Sequence, residues 1–305
     1  MPVANGATAP PANSWASPHP NSAVSKRILS TVVLWAVFIS ALWLLGRPAM
    51  VGLVTLMALL TQNEFYAMTQ RMGHRPFRKL GLLLGGMIIL APYAVRTILK
   101  KTEISGLMGS LLAISVIICC IRILRERDPA ERVDTLSATL FGIIYVPFMM
   151  HFIVEIFFLP ATAIAGLMLV VWLVVVVKFC DVGALLIGTA IGRHKMAPTI
   201  SPKKSWEGLV GGVLCGAALG TALLVWLPKL YPPEFTPLIS ALAAVPIALL
   251  AVLSDLVESI IKRRADMKDS GASVPGIGGA FDLTDSVILT APAAYIVFAC
   301  VLRKI

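Results

Sequence analysis

The stretch "AGLMLVVWLVVVV", from Ala165 to Val177, contains no charged residue and decides the fold class of the chain. Similar apolar runs recur along the 305 residues. Their lengths are close to the roughly 20 residues that an α-helix needs to cross a bilayer. Strands of a membrane barrel would instead alternate apolar and polar residues. We therefore predict an all-α, polytopic integral membrane protein with about eight to nine transmembrane helices.

Composition supports the same fold class. Hydrophobic residues make up 58% of the chain and charged residues 14%, whereas a soluble domain carries about 25% charged residues. The net charge of +10 raises the question of nucleic-acid binding. The basic residues are spread over short loops rather than gathered in one basic domain, so we expect no nucleic-acid partner. The five cysteines lie in or beside apolar runs without metal-ligand spacing, and we expect them to be packing residues.

The chain divides into three regions. Residues 1–24 contain no Lys, Arg, Asp or Glu, which is typical of a disordered tail. We expect a transmembrane scaffold in 25–160 and a catalytic transmembrane region with a polar site in 161–305. The predicted spans are 28–46, 48–62, 80–96, 105–121, 136–158, 161–180, 208–228, 238–260 and 286–302. The short second run leaves open a half-span or a re-entrant segment.

The distribution of basic residues predicts the orientation in the membrane. With nine spans and a cytoplasmic N-terminus, 19 of the 26 Lys and Arg residues fall on the inside. The other seven are Arg47, Arg96, Lys100, Lys101, Lys229, Arg303 and Lys304. Because cytoplasmic loops carry an excess of positive charge, this orientation is favoured in a cell (inner) membrane. Both polar loops of the C-terminal half, 181–207 and 260–285, then face the cytoplasm.

The most polar segment of the chain is "SDLVESIIKRRADMKDSGASVPGIGGAFDLTDS", from Ser254 to Ser286, with six carboxylates and four Lys or Arg residues. If the eighth span continues as a helix, one face carries Asp255, Glu258, Ser259 and Lys262. Asp282 and Asp285 point together if a helix begins near Asp282, and the Pro/Gly segment before them returns the chain to the membrane. Two carboxylate pairs brought together in this way predict a Mg²⁺ site.

A simpler interpretation of part of this segment stays open. Asp266 and Asp269 are spaced to pair with Lys262 and Lys268 on a solvated helix face. For Asp266 and Glu258 we prefer this interpretation. The remaining membrane-edge acids are harder to explain as solvated pairs, because an unpaired carboxylate in the membrane costs a few kcal/mol.

A second polar segment is "KFCDVGALLIGTAIGRHKMAPTISPKKSWEG", from Lys178 to Gly208. Asp181 follows a solid apolar run, at a depth where an unpaired carboxylate is unfavourable. The lysines and hydroxyls of "SPKKSWEG" suit an anionic ligand, above all a phosphate. A basic loop that touches anionic lipid headgroups is an equally good interpretation on physical grounds.

Together, "SPKKSWEG" and the pattern S-x-x-K-R-x4-K-D followed by P-G-x-G-G-x-x-D-x-x-D resemble the phosphatidate cytidylyltransferase (CDP-diacylglycerol synthase) family. The matching residues are Ser259, Lys262, Arg263, Lys268, Asp269, Pro275, Gly278, Gly279, Asp282 and Asp285. Two positions depart from the family pattern, since Ile277 replaces a common His and Leu283 replaces an Arg. The resemblance covers about 178–286.

The resemblance implies transfer of CMP from CTP to phosphatidic acid, which gives CDP-diacylglycerol and pyrophosphate. It also implies Mg²⁺, a monovalent cation such as K⁺, contact with membrane lipids, and a homodimer. It assigns metal binding to Asp255, Asp282 and Asp285. The catalytic residues would be Lys262, Arg263, Lys268 and Asp269, and the three basic residues among them would contact phosphates. The substrate-binding residues would be Asp181, Ser201, Lys203, Lys204, Glu207 and Ser259.

Two other functions remain as alternatives. A CTP-dependent polyprenol or phytol kinase would use phosphate and Mg²⁺ in a similar membrane architecture. An ion-coupled transporter would place carboxylates deep in its spans and show related halves. The acids of this chain cluster at the predicted cytoplasmic edge, and no internal repeat is evident, which disfavours the transporter.

Overall fold

The computed structural model describes residues 46–98, 106–125, 131–267, 269–271 and 278–303. The predicted tail, nearly all of the predicted span 28–46, Lys268 and Pro275 lie outside the described residues. The described helices are α1 (Arg47–Arg71), α2 (Arg78–Ile98), α3 (Leu107–Ile123), α4 (Arg132–Ile143), α5 (Met149–Phe158), α6 (Ala163–Ile191), α7 (Trp206–Trp226), α8 (Pro237–Arg264), α9 (Ala280–Ile288) and α10 (Thr290–Val301). Two short strands are β1 (Lys195–Ala197) and β2 (Ser201–Ser205).

Within the described ranges, six helical segments are long and apolar enough to cross a membrane. They are Arg78–Ile98, Arg132–Phe158, Ala163–Ile191, Trp206–Trp226, Pro237–Arg264 and Ala280–Val301. The all-α, polytopic membrane fold is therefore confirmed. Leu107–Ile123 is a shorter apolar helix. The short run predicted at 48–62 is part of one continuous helix of 25 residues, α1.

The predicted span 136–158 is a composite helix. A π-helical turn, Ile144–Phe148, joins α4 to α5 and contains Pro147. Proline has no backbone N–H and its ring crowds the preceding turn, so a wider turn accommodates it without ending the helix. The segment thereby stays long enough to span the membrane.

Glycines let α6 and α7 approach closely. A Cβ added at Gly212 would lie 2.6 Å from the backbone oxygen of Cys180, and one added at Gly216 would lie 2.6 Å from that of Val176. Small residues at such contacts are the common solution for packing helices in a membrane. The two helices that flank the second polar segment are therefore held at short distance along their length.

The polar loop predicted at 181–207 starts later than expected, because α6 continues to Ile191. After this helix, β1 and β2 form an antiparallel β-hairpin. Strand β1 pairs with β2, with Lys195 opposite Ser205. Ser205 then begins α7 by accepting a hydrogen bond from the Gly208 N–H at 3.2 Å. The hairpin is too small to change the fold class, but it fixes the direction in which its lysines point.

At the end of the helix bundle opposite the hairpin, an ion pair joins two helices. Arg96 donates two hydrogen bonds to the Glu155 carboxylate, at 3.0 and 2.6 Å. The Phe158 ring lies 5.1 Å from the guanidinium of Arg47 and 5.3 Å from that of Arg96. Bidentate pairing and ring stacking are contacts for which arginine is suited. They join α1, α2 and α5 at the end away from the hairpin.

Candidate active site at one end of the helix bundle

Helix α8 carries the first part of the acidic segment, as predicted. Asp255, Glu258 and Lys262 lie on a helix that ends at Arg264. The Lys262 Nζ lies 2.8 Å from Glu258 Oε2 and 3.0 Å from Asp282 Oδ1. The Glu258 side chain is only 1% exposed. The expectation of a solvated Glu258 is therefore wrong, because Glu258 is paired but buried.

The predicted pairing of Asp266 with Lys262 is also wrong. The helix ends two residues earlier, and Asp266 takes a positive φ of 53°, so the helical i, i+4 relationship is lost. Lys262 binds Glu258 and Asp282 instead. Asp269 is exposed, and its predicted partner Lys268 lies outside the described residues. Arg263 is exposed at the helix end and Ser259 is half buried.

Three carboxylates converge where α8 meets α9. One oxygen from each of Asp255, Glu258 and Asp285 lies within 4.8 Å of the other two. The second oxygen of Glu258, Oε1, is buried and accepts no hydrogen bond from any described residue. A buried acceptor without a donor is unfavourable unless something else contacts it. The all-oxygen donor set and this unpaired atom fit a hard divalent cation.

Asp282 lies outside this group of three carboxylates. Its carboxylate is held by the Lys262 ammonium, by the Ser270 N–H at 3.1 Å and by the Gly279 N–H at 3.2 Å. The structure thus brings Glu258, rather than Asp282, within 4.8 Å of Asp255 and Asp285. Sequence spacing does not distinguish the two acids, since it does not show which carboxylate accepts hydrogen bonds from backbone N–H groups.

Helix α6 brings Asp181 to the same place. The Ser286 hydroxyl lies 3.1 Å from Asp181 Oδ2 and 3.0 Å from Asp285 Oδ1. The Lys178 Nζ lies 3.7 Å from Asp285 Oδ1 and 3.9 Å from Asp181 Oδ2. Lys178 was not among the predicted site residues. Its i, i+3 spacing from Asp181 is the signal that could have identified it.

The formal charges within one contact network at this end of the bundle do not balance. Its five carboxylates and three ammonium groups sum to a charge of −2 when all of them are ionised. The members are Asp181, Asp255, Glu258, Asp282, Asp285, Lys178, Lys204 and Lys262. A divalent cation would neutralise the excess in a half-buried site, where charge imbalance is costly.

A cavity of about 220 Å³ opens beside the acids. Its polar lining consists of Asp181, Lys203, Lys204, Ser205 and Asp255, and its apolar lining includes residues of α6, α7 and α8. The Lys204 Nζ lies 2.7 Å from Asp255 Oδ2. Two ammonium groups facing a carboxylate group suit a phosphate bound together with a cation.

Three of the predicted substrate-binding residues are not among the residues that line this cavity, namely Ser201, Glu207 and Ser259. Ser201 lies at the start of β2, and Ser259 lies on α8. The Glu207 carboxylate accepts hydrogen bonds from the backbone N–H of His194 at 3.2 Å and contacts its ring nitrogen at 2.5 Å. Glu207 thus holds His194, the residue before β1, against the start of α7.

One further acid reaches the site from the predicted scaffold region. Glu64 of α1 is buried, and its carboxylate accepts hydrogen bonds from the start of α9. Its described partners are two backbone N–H groups and a hydroxyl rather than a cationic side chain. No sequence motif links Glu64 to the second half of the chain.

The chain is similar in sequence to known proteins along most of its length. A family model described as the cytidylyltransferase family matches residues 25–301, which include all the described helices and the hairpin. The match therefore extends beyond the two polar segments to the scaffold region.

Several curated relatives bear the name phosphatidate cytidylyltransferase. The protein from Mycobacterium bovis is 38% identical over 170 residues, 56% of this chain and 53% of the relative. The protein from Rickettsia bellii is 30% identical over 218 residues, 70% of this chain and 88% of the relative. The protein from Synechocystis is 28% identical over 297 residues, 89% of this chain and 95% of the relative. The match to the mycobacterial relatives spans about half of their length.

Proposed function

Because the chain belongs to the cytidylyltransferase family, we propose that it transfers CMP from CTP to phosphatidic acid. The products are CDP-diacylglycerol and pyrophosphate. The observation that carries the proposal is the position of Asp255, which belongs to the group Asp255, Glu258 and Asp285 and also lines the cavity together with Lys203 and Lys204. Nucleotidyl transfer requires cationic groups around the phosphates, and this arrangement supplies both lysines and a cation-binding acid group.

The bonds that change can be stated. An oxygen of the phosphatidic acid monoester attacks the α-phosphorus of CTP and forms the new phosphorus–oxygen bond. The bond from that phosphorus to the oxygen shared with the β-phosphate breaks, and pyrophosphate leaves with the electron pair. A phosphate monoester is largely ionised near neutral pH, so the attacking oxygen needs no proton acceptor. The Ile277 position, where the family commonly has His, therefore does not remove an obligatory base.

The residues of the site have separate proposed roles. Lys203 and Lys204 hold phosphate oxygens from the cavity side, and Lys262 and Arg263 from the end of α8. Asp181, Ser259 and Asp269 are retained as proposed site residues, as is Lys268 outside the described ranges. Ser201 and Glu207 shape the hairpin that presents the two cavity lysines.

We propose Mg²⁺ as the cofactor, held by Asp255, Glu258 and Asp285. The sequence predicts a different ligand set, with Asp282 in place of Glu258, and the Mg²⁺ titration of variants given in the Discussion distinguishes the two sets. When bound, such an ion supplies charge neutralisation at the reacting phosphates. K⁺ as a second cation and a homodimeric assembly remain predictions of the family resemblance. The cytoplasmic orientation of the site is also a proposal, and it fits the location of CTP.

The test uses the full chain purified in detergent, with Mg²⁺, phosphatidic acid and CTP labelled at the α-phosphorus. We expect label in a chloroform-soluble lipid together with one pyrophosphate for each lipid formed. Transfer from CTP labelled at the γ-phosphorus, with release of CDP, would instead identify a lipid kinase. Folded protein that forms no labelled lipid from either nucleotide would overturn the proposal.

A further inference from the structure

The buried carboxylate of Glu64 connects the first described helix to the acidic site. Its two oxygens accept three hydrogen bonds, from the Ser270 hydroxyl at 2.8 Å, the Ala280 N–H at 3.0 Å and the Phe281 N–H at 2.9 Å. The side chain is 5% exposed. Ala280 and Phe281 are the first two residues of α9. Glu64 therefore satisfies two of the free N–H groups that every helix start leaves unpaired.

The capped helix carries the acids of the site. Asp282 lies in the first turn of α9, and Asp285 belongs to the cation-binding group. A carboxylate at a helix N-terminus also interacts favourably with the helix dipole. Fixing the first turn of α9 from outside the helix fixes the position of Asp285 relative to Asp255 and Glu258 on α8.

A second connection runs through Ser270. Its hydroxyl donates to Glu64 while its backbone N–H donates to Asp282 at 3.1 Å. Asp282 in turn accepts from Lys262, whose ammonium also binds Glu258. An unbroken series of hydrogen bonds thus joins Glu64 to the acid with the unpaired buried oxygen.

The backbone at two glycines packs tightly against the Glu64 carboxylate. A Cβ added at Gly271 would lie 2.7 Å from Glu64 Oε1, and one added at Gly279 would lie 2.6 Å from Glu64 Oε2 and closer still to the Ser270 hydroxyl. At Gly279 the φ of −78° is accessible to any residue, so the glycine is required there by space alone. The backbone approaches the carboxylate from two sides.

We propose that Glu64 is a positioning residue, which holds the start of α9 so that Asp285 completes the cation-binding group. The proposal rests on the proposed function only in assuming that this group binds a divalent cation. A carboxylate is required because all three of its described partners are donors. A glutamine would offer a single acceptor oxygen and would turn an NH₂ group toward one or more of these donors.

The experiment measures two quantities on the purified full chain, Mn²⁺ binding by electron paramagnetic resonance and hydrogen exchange of the Ala280–Phe281 peptide. Mn²⁺ serves as a spectroscopic probe of the divalent site. For Glu64→Gln we expect Mn²⁺ affinity to fall about 10- to 100-fold, as for other residues that orient metal ligands. Exchange at the two amides should accelerate about tenfold or more, since each loses a charge-assisted hydrogen bond.

Two variants and one control separate positioning from general destabilisation. Gly279→Ala should also lower the Mn²⁺ affinity and accelerate exchange of the two amides, because the new Cβ would displace the start of α9 from Glu64. Glu64→Asp should retain part of the Mn²⁺ affinity of the wild type. Gln62→Met removes buried hydrogen bonds of the same helix to Tyr66 and Gly81, neither of which belongs to α9. It should lower the melting temperature and leave Mn²⁺ affinity unchanged.

The outcomes decide the proposal even if Glu64→Gln does not fold, because Gly279→Ala and Glu64→Asp then carry the test. If the folded variants bind Mn²⁺ within about twofold of wild type while the control behaves as expected, the positioning role is refuted. Absence of Mn²⁺ binding by the wild type refutes it as well. A wild type that binds Mn²⁺ through Glu64-dependent positioning but forms no labelled lipid overturns only the proposed function.

Discussion

At the scale of single residues, the surroundings of Asp282 and Glu258 differ from those that their spacing predicts. Glu258 is buried with one oxygen that accepts no hydrogen bond from a described residue, whereas Asp282 accepts hydrogen bonds from Lys262 and two backbone N–H groups. We expect Asp285→Asn and Glu258→Gln to raise the Mg²⁺ concentration for half-maximal activity at least about tenfold. Asp282→Asn should mainly lower kcat, because it removes one of the two carboxylates that hold the Lys262 ammonium in place. The measurement is a Mg²⁺ titration of lipid formation, and a larger Mg²⁺ effect for Asp282→Asn would favour the sequence-based ligand set.

Adjacent lysines of strand β2 provide a second comparison of single residues. Lys204 is half buried and binds both Asp255 Oδ2 and the Val252 carbonyl, at 2.7 and 3.2 Å, whereas Lys203 is exposed. We expect Lys204→Ala to lower kcat/KM about 100-fold, the range for losing one fixed group that stabilises developing charge. Lys203→Ala should cost about tenfold or less, since an exposed charge is screened by solvent. Equal losses in both variants would show that the pairing with Asp255 does not matter.

At the scale of elements, the packing of α6 on α7 depends on glycine. In Gly212→Ala the new Cβ would meet the backbone oxygen of Cys180, which cannot move without shifting the helix. We expect a loss of about 1–3 kcal/mol in stability, as for other overpacked contacts, together with reduced activity, because α6 carries Asp181. Gly109→Ala on α3 is the matched control, since no heavy atom of the described residues lies within 4 Å of its added Cβ. Thermal melting in detergent measures both, and an unchanged melting temperature for Gly212→Ala would contradict the close approach.

The sequence predicted the helices correctly wherever a long apolar run determines their position. Eight of the predicted spans correspond to described helices, and α8 continues past the apolar run to Arg264, as the spacing of Asp255, Glu258 and Lys262 required. The hairpin β1–β2 was not predicted, because strands of three and five residues give too little alternation to detect. The role of Glu64 was also inaccessible, since its partners are backbone groups more than 200 residues away along the chain.

At the scale of the whole molecule, the two ends of the bundle differ in chemistry. One end carries the hairpin, the end of α8 and the acidic site, and the other carries the Arg96–Glu155 pair. Since α6 and α7 are joined by the hairpin, Lys195 and Arg264 must lie on the same side of the membrane if each candidate helix spans it. Lys229, between α7 and α8, must then lie on the opposite side.

This arrangement predicts the result of labelling single cysteines with a membrane-impermeant maleimide. In a variant whose five native cysteines are replaced, Lys195→Cys and Arg264→Cys should react in inverted membrane vesicles and stay protected in intact cells. Lys229→Cys should show the reverse pattern and serves as the control, because all three positions are exposed. The reason is the excess of basic residues on the hairpin side, which retains that side in the cytoplasm. Reaction of Lys195→Cys and Arg264→Cys from opposite sides of the membrane would contradict the fold. Reaction of both from outside the cell would contradict only the predicted orientation, and the site would then have no access to cytosolic CTP.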